Sequence, residues 1–188
     1  MKSEKTRCWK TNNPRYNKYH DEEWGVPVHD DMKLFEFLSL EIFQAGLTWE
    51  LILNRREDFK NAFDNFDPKI VAIYSGNKIN NLLSNPKIIR NRLKIESTIN
   101  NAIRVLEIQK EFGSFSEFIW GFVGGKSIHN KFVTLADMPS NTKESVNMSK
   151  GLKKRGFKFI GPTICYAFMQ AVGLVNDHLV NCFRKDEI

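Results

Sequence analysis

The stretch that most constrains the fold runs from Lys150 to Cys182 and reads KGLKKRGFKFIGPTICYAFMQAVGLVNDHLVNC. A basic segment ends at Arg155, a short turn carries Gly156 and Gly161, and apolar residues then recur at helical spacing. This order predicts a helix, a hairpin and a second helix. The turn can be interpreted as a phosphate-binding hairpin, because glycines allow close backbone approach and a helix start offers free N–H groups. An ordinary turn between two helices, with a solvated basic end, explains the same residues.

The remainder of the chain favours helices throughout. Apolar residues recur at helical intervals, and no alternating run is long enough for a sheet. Helix starts are predicted at Pro14, at Asp30 or Asp31, at Thr48, at Asp67-Pro68, and at Ser140 or Thr142. The sequence therefore predicts one all-α domain over residues 1–188, built from roughly eight to ten short helices.

Two helices carry explicit burial predictions. The longest should run from near Ile88 toward Phe112, with its buried stripe at Leu93, Ile95, Ile99, Ile103 and Leu106. The helix that Thr48 begins should bury Leu51, Ile52, Phe59 and Phe63, and should leave Arg55, Arg56, Glu57 and Lys60 largely outside. Residues 124–140 are predicted to form a loop with short extended pieces.

Composition limits which partners the protein can bind and in which cell compartment it is expected. The net charge is +6 and the pI about 9.2, and basic residues gather around the predicted hairpin, which favours a polyanionic partner. No apolar run is long enough to span a membrane, and the N-terminus lacks the apolar segment of a signal peptide, so we expect a cytoplasmic protein. Three cysteines suit a reducing compartment. Residues 1–8 are predicted to be a tail that becomes ordered only if Cys8 is held.

Cys8, His20, His178 and Cys182 are the candidate metal ligands. His178 and Cys182 are four residues apart and share one face of a helix, and Cys8 with His20 would complete a closed Cys₂His₂ set. Such a set has no open position, so it predicts a structural zinc ion. A chance H-x-x-x-C pair with Cys8 as a free thiol is the alternative. Cys165 lies on the apolar helix and is predicted to be a small core residue.

Aromatic residues are concentrated in the first quarter of the chain, at Trp9, Tyr16, Tyr19, Trp24 and Trp49. They predict either ordinary core or a slot in which a flat ring stacks. Glu41 lies within SLEIFQAGLTW, on an otherwise apolar helix end shortly before a glycine turn. A carboxyl group there can face a ligand, although a solvent-facing or capping Glu is the alternative.

Four motifs together resemble a known family. RCW with YHDEEWGVP, LEIFQAGLTW, KKRGFKFIGPTICYAFMQA and GLVNDHLVNC are similar, in order and over nearly the whole chain, to the bacterial family of 3-methyladenine DNA glycosylases I. The resemblance implies a helix-hairpin-helix glycosylase fold with a hairpin near residues 150–172 and one structural zinc ion. The zinc would join residues 8–20 to residues 178–182.

The resemblance also implies roles for individual residues. Glu41 would be the catalytic carboxylate, and the base would be bound by Trp9, Tyr16, Tyr19, Trp24 and Trp49. Gly46 and Leu47 would lie at the gap left in the duplex, and Gly156, Lys158, Gly161 and Thr163 would contact DNA phosphates. The zinc ligands would be Cys8, His20, His178 and Cys182.

The implied activity is monofunctional excision of 3-methyladenine. The wider superfamily often has an Asp where this chain has Asn176, and its bifunctional members have a nucleophilic Lys where this chain has Thr163, so no lyase step is expected. The expected partner is double-stranded alkylated DNA, the product free 3-methyladenine, and the protein a monomer that acts beside the nucleoid and not at a membrane. A zinc-stapled DNA-binding module without activity, and a hydrolase of small purine compounds, are the competing interpretations.

Overall fold

Residues 5–188, the part of the chain that the computed structural model describes, contain ten α-helices, three short 3₁₀-helices (Asp64–Phe66, Gly121–Val123 and Leu135–Asp137) and one pair of very short strands. Residues 1–4 of the predicted N-terminal tail lie outside the described residues. The helices are α1 (Pro14–Glu22), α2 (Asp31–Gln44), α3 (Trp49–Asn54), α4 (Arg56–Ala62), α5 (Pro68–Val71), α6 (Gly76–Ser84), α7 (Arg92–Phe112), α8 (Phe115–Trp120), α9 (Lys143–Lys154) and α10 (Pro162–Ala171). The all-α prediction is confirmed. Within residues 5–188 no helix is both long and apolar enough to cross a membrane.

Side-chain caps set most of the helix starts. Thr48 and Thr142 cap α3 and α9 as predicted, and Asp30 caps α2 through a 2.8 Å hydrogen bond from the Lys33 N–H. Asp31 has a different role, because it accepts from the backbone N–H groups of Phe115 and Ser116, both at 2.8 Å. Asp31 therefore fixes the start of α8 against the start of α2.

Helix α2 is the centre of the core, since its residues from Leu34 to Phe43 are all buried. It packs against α3, α7, α8 and α10. Phe43 meets the Phe59 ring of α4 at a centroid distance of 4.7 Å, and Phe63 stacks on Phe66 at 5.4 Å. Aromatic packing around α2 therefore holds this helix and its side chains rigidly in place.

The predicted buried stripe of α7 is wrong at several positions. Leu93 is 61% exposed and Ile103 37% exposed, whereas the inward face carries Ile95 together with polar Lys94 and Asn101. Ile99 and Leu106 are half-buried, and the remaining buried residues are Ser97, Thr98, Ala102, Val105 and Ile108. The helix also begins at Arg92, after the cap Asn91, and not near Ile88. The stripe was misplaced because the buried face of α7 carries polar side chains that form hydrogen bonds with two loops. The spacing of apolar residues does not reveal such contacts.

The segment after Thr48 forms two helices instead of one, with the break at Arg55. Arg56 was predicted to lie outside, but its side chain is only 13% exposed. Its guanidinium donates to Glu36 at 2.6 Å and to Glu23 at 2.7 Å. Two carboxylates within reach allow this charge to be largely buried, which sequence spacing does not show.

The strands β1 (Ile128–His129) and β2 (Val175–Asn176) are parallel, with Ile128 opposite Val175. They confirm the predicted short extended piece within residues 124–140. A further backbone hydrogen bond of 3.0 Å joins the Val180 N–H to the Phe132 carbonyl. The loop before α9 is thereby attached to the segment that carries His178 and Cys182.

Gly173 lies where the chain after α10 touches the loop of residues 25–27. Its φ is +73°, and a Cβ there would lie 2.4 Å from the backbone nitrogen of Pro27 and 2.4 Å from the carbonyl carbon of Val26. We expect Gly173→Ala to lower the free energy of unfolding by on the order of 2–4 kcal/mol, from strain and overlap together. Gly124→Ala is the control, because Gly124 has a φ of +66° but open space around it, and about 1 kcal/mol is expected there. Equal losses in urea unfolding of the two variants would contradict the close contact.

Candidate base-binding cavity and metal cluster

A cavity of about 290 Å³ opens beside α2. All the aromatic residues predicted for base binding line it together with Glu41, namely Trp9, Tyr16, Tyr19, Trp24 and Trp49. Five further lining residues were not predicted from the sequence, and these are Gln44, Leu135, Met138, Ala167 and Gln170. Gln44 follows Glu41 by about one helical turn, and this spacing was the available signal for it. Leu135 and Met138 come from a distant loop and have no local signal.

The aromatic side chains form a connected wall. Trp9 lies 5.1 Å from Tyr16 and 5.0 Å from Trp24 between ring centroids, and Tyr19 lies 5.3 Å from Trp49. The indole N–H groups of Trp9 and Trp49 are buried and have no hydrogen-bond partner among residues 5–188. The wall therefore presents flat aromatic surfaces to the cavity.

Glu41 is the carboxyl side chain that lines this cavity. It is 4% exposed, and its carboxyl group has no hydrogen bond or ion pair within the described part of the chain. Burial raises its pKa to about 8. An empty cavity thus favours the neutral acid near pH 7, whereas a cation among the rings would favour the carboxylate. Faces of Trp and Tyr rings also attract cations, so the cavity is chemically suited to a flat cationic ring.

The four predicted metal ligands come together in one buried cluster. Their ligand atoms all lie within 4.8 Å of one another. Sγ of Cys8 and Sγ of Cys182 are each 3.4 Å from Nδ1 of His178, and Sγ of Cys182 is 3.5 Å from Nε2 of His20. These separations suit four ligands around one tetrahedral ion. The close approach of the two thiol groups lowers the pKa of Cys182 and raises that of Cys8, so the cluster itself favours a thiolate.

The other nitrogen of each imidazole ring is held from outside the cluster. Nε2 of His178 is 2.9 Å from the carbonyl oxygen of Trp24, and Nδ1 of His20 is 2.9 Å from Oδ1 of Asp21. Arg7 in turn donates two hydrogen bonds to Asp21, at 2.7 and 2.8 Å. Such outer contacts fix which nitrogen faces a metal, so the residues present fit a bound ion.

The cluster also supports one wall of the cavity. The Trp9 ring meets the His20 ring edge-on at 4.7 Å, and Trp24 meets His178 at 4.6 Å. Two of the aromatic lining residues therefore rest directly on candidate metal ligands. An ion here would order the N-terminal segment and hold these rings in place.

The predicted hairpin joins α9 to α10. Gly156 has a φ of +82°, and Gly161 has open space around it, so a ligand can approach the backbone at the start of α10. Lys158 and Thr163 are exposed, as are Lys150, Lys153 and Lys154. Arg155 differs, since Glu111 accepts two hydrogen bonds from it, at 2.6 and 2.8 Å.

Polar residues of α7 fix the hairpin and the loop after α2 relative to each other. The Asn101 side chain accepts from the Lys158 N–H at 2.7 Å and donates to the Lys158 carbonyl at 3.1 Å. Lys94 donates to the carbonyls of Phe43 and Ala45 at 2.8 and 2.6 Å. Its ammonium also lies 5.7 Å from the Phe159 ring centre of the hairpin. One helix thus sets the distance between the hairpin and the Gly46-Leu47 loop.

The Gly46-Leu47 loop lies at the edge of the cavity. Gly46 has a φ of +80°, and Leu47 is 37% exposed. The Gln44 side chain, which lines the cavity, donates to the Leu47 carbonyl at 3.1 Å. An exposed apolar side chain is therefore held close to the cavity that contains Glu41.

Comparison with known proteins agrees with this combination of fold and site. The family model described as methyladenine glycosylase matches residues 9–185. DNA-3-methyladenine glycosylase 1 of Escherichia coli is 46% identical over 177 residues, covering 94% of this chain and 95% of the relative. DNA-3-methyladenine glycosylase of Haemophilus influenzae is 47% identical over 178 residues, covering 94% and 96%.

Solved structures show the same similarity. A crystal structure of 3-methyladenine DNA glycosylase I superposes with a TM-score of 0.92 at 46% identity, covering 95% of this chain and 98% of the other. A structure that addresses 3-methyladenine recognition by the Staphylococcus aureus glycosylase I has a TM-score of 0.91 at 38% identity, covering 95% of each chain. The chain belongs to the methyladenine glycosylase family, and the resemblance noted in its motifs is confirmed.

Proposed function

We propose that this protein is a monofunctional DNA glycosylase that removes 3-methyladenine from alkylated double-stranded DNA and leaves an abasic site. It acts as a monomer of one helix-hairpin-helix domain in the bacterial cytoplasm. The observation that carries the proposal is the buried Glu41 in an aromatic cavity, in a chain of the methyladenine glycosylase family. Several relatives are named for this activity, and one similar structure is a 3-methyladenine complex.

The cavity selects the lesion by charge and shape. Methylation at N3 gives the base of the nucleotide a positive charge, and the rings of Trp9, Tyr16, Tyr19, Trp24 and Trp49 attract such a flat cation. Glu41 accepts from its exocyclic amino group and ionises as the cation enters. Neutral adenine does not compensate the cost of burying a carboxylate, so it binds less well.

The reaction needs no strong general acid, because the cationic base is already a good leaving group. The C1′–N9 bond breaks with both electrons passing to the base, which leaves as neutral 3-methyladenine. Water adds to the resulting oxocarbenium-like sugar and loses a proton to solvent. Glu41 acts as the catalytic residue by holding the base through these steps.

Two loops beside the cavity contact the DNA. The base leaves the stack to reach Glu41, and Leu47 enters the gap, with Gly46 allowing close approach of the backbone. Gly156, Lys158, Gly161 and Thr163 contact the phosphates at the start of α10. Because α7 holds both loops, opening of the duplex and binding of its backbone occur at a fixed spacing.

The ion in the cluster is one structural Zn²⁺ bound by Cys8, His20, His178 and Cys182. Four protein ligands leave no position for substrate, so the ion stabilises the fold and takes no part in bond cleavage. Sulfur and imidazole donors of this kind favour zinc over magnesium or calcium.

Release of free base tests the proposal directly. The protein is incubated with methylated duplex DNA, with unmethylated duplex and with methylated nucleosides, and the released bases are separated by chromatography. We expect free 3-methyladenine from the methylated duplex alone. Binding without release would identify a DNA-binding module, and equal activity on free nucleosides would identify a hydrolase of small purine compounds.

A further inference from the structure

Gln170 of α10 lines the cavity, and its side chain forms a hydrogen bond with a buried carboxylate. Its Nε2 donates to Oδ2 of Asp177 at 2.8 Å and lies 3.9 Å from the Met138 sulfur. Asp177 is 1% exposed. Neither residue has a part in the mechanism above, although Gln170 borders the same space as Glu41.

Asp177 fixes the orientation of the Gln170 amide. Its Oδ1 accepts from Nδ2 of Asn130 at 2.7 Å, and its Oδ2 also accepts from the Tyr166 hydroxyl at 2.5 Å. A carboxylate surrounded by donors in this way accepts from an amide nitrogen and repels an amide oxygen. Gln170 is therefore held with its nitrogen toward Asp177 and its oxygen on the other side. Oε1 of Gln170 has no donor among residues 5–188.

We infer that Gln170 Oε1 is a second hydrogen-bond acceptor for the base and, with Glu41, selects purines that carry an amino group at C6 over those that carry an oxo group at C6. The inference rests on the proposed function. An amino group has two N–H donors, so it can satisfy two acceptors. An oxo group turns its lone pairs toward both acceptors and leaves them unsatisfied.

The hydrogen bond from Gln170 to Asp177 is the reason that the selection favours an amino group and not an oxo group. A free glutamine side chain can rotate its amide and present either a donor or an acceptor. Gln170 cannot do so without placing its oxygen against the Asp177 carboxylate. Gln170 is thus a specificity-determining residue, and Asp177 is a positioning residue that acts through it.

DNA treated with a methylating agent tests this inference, because it contains both 3-methyladenine and 3-methylguanine. Initial release of the two bases is measured from one reaction, and their ratio is independent of the amount of active enzyme. We expect the wild type to favour 3-methyladenine. Gln170→Leu should lower that ratio roughly tenfold, mainly through slower 3-methyladenine release. Asp177→Asn should lower the ratio as well, since an Asn there can donate and allows the Gln170 amide to rotate.

Gln109→Leu is the matched control, because Gln109 donates to the Asp31 carboxylate at 2.7 Å, away from the residues that line the cavity. Its ratio should equal that of the wild type. An unchanged ratio in Gln170→Leu, with active wild type, overturns the inference even if Asp177→Asn does not fold. No release of either base by the wild type would instead overturn the proposed function.

Discussion

Replacing Glu41 by Gln should lower 3-methyladenine release by on the order of a hundredfold or more, while DNA binding persists. The amide keeps the size of the side chain but cannot become negative when the cationic base enters. Release is measured by chromatography and DNA binding by fluorescence anisotropy, at the same pH for both proteins. Unchanged release by Glu41→Gln would remove Glu41 from the mechanism.

The same substitution should make the protein more stable in alkaline solution. The pKa of Glu41 is raised from 4.5 to about 8 in the folded protein, so the folded state binds a proton more tightly than the unfolded state. The contribution of this group to stability is therefore lost progressively as pH rises from about 4.5 to about 8. The amide of the Glu41→Gln variant does not ionise, and its advantage over the wild type should reach a few kcal/mol above this window, at roughly 1.4 kcal/mol per pKa unit.

Glu36→Gln is the matched control on the same helix. Glu36 is also buried, but it pairs with Arg56 at 2.6 Å and does not line the cavity. We expect this variant to be less stable than the wild type, because it leaves the buried guanidinium with one fewer partner. In unfolding curves at pH 9, the change in the free energy of unfolding relative to the wild type should therefore be positive for Glu41→Gln and negative for Glu36→Gln, and at pH 5 the gain of Glu41→Gln should be smaller. A Glu41→Gln variant that is less stable than the wild type at pH 9 would contradict the raised pKa.

Removing the metal ligand Cys182 should have the second large effect. Cys182→Ser should lose the ion, lower the melting temperature by roughly ten degrees or more, and abolish base release. Release fails because Trp9 and Trp24 rest on His20 and His178, so loss of the cluster frees two rings of the aromatic wall. Metal content is measured by mass spectrometry and melting by circular dichroism.

Cys165→Ala provides the comparison for this experiment. Cys165 is fully buried in α10, burial raises its pKa to about 12, and it lies outside the ligand cluster. This variant should keep one zinc ion for each chain and most of its activity. Wild-type protein purified without chelators and found to contain no zinc would refute the structural-ion proposal.

The sequence predicted those parts of the site that rest on residue type and local spacing. Pro14 and Thr142 marked helix starts because caps are local. His178 and Cys182 do meet in one cluster, but they lie after β2 in a segment that is not helical, so the predicted shared helix face is wrong. The meeting of Cys8 and His20 with that pair was predicted from ligand chemistry together with the family resemblance. Neither residue has a spacing that places it near the other end of the chain.

The parts that were wrong or missed depend on contacts between distant segments. Lys94 and Asn101 interrupt the expected apolar stripe of α7 because their partners are backbone groups of two loops far along the chain. Arg56 is buried because Glu23 and Glu36 converge on it from different elements. Gln170 was missed because its role depends on its hydrogen bond with Asp177. The sequence pattern does not show which atom of a side-chain amide is left to contact a ligand.

The cavity walls have a consequence for the order of folding. Their residues come from positions 9–49, 135–138 and 167–170, and the cluster that supports them joins Cys8 to His178 across 170 positions. Closing so long a chain segment is slow compared with packing neighbouring helices. During synthesis α3, α7 and α8 can therefore pack on α2 early, whereas α10 and the cavity must wait until residues up to Cys182 have left the ribosome. The nascent protein consequently has no means of binding a base before its fold is complete.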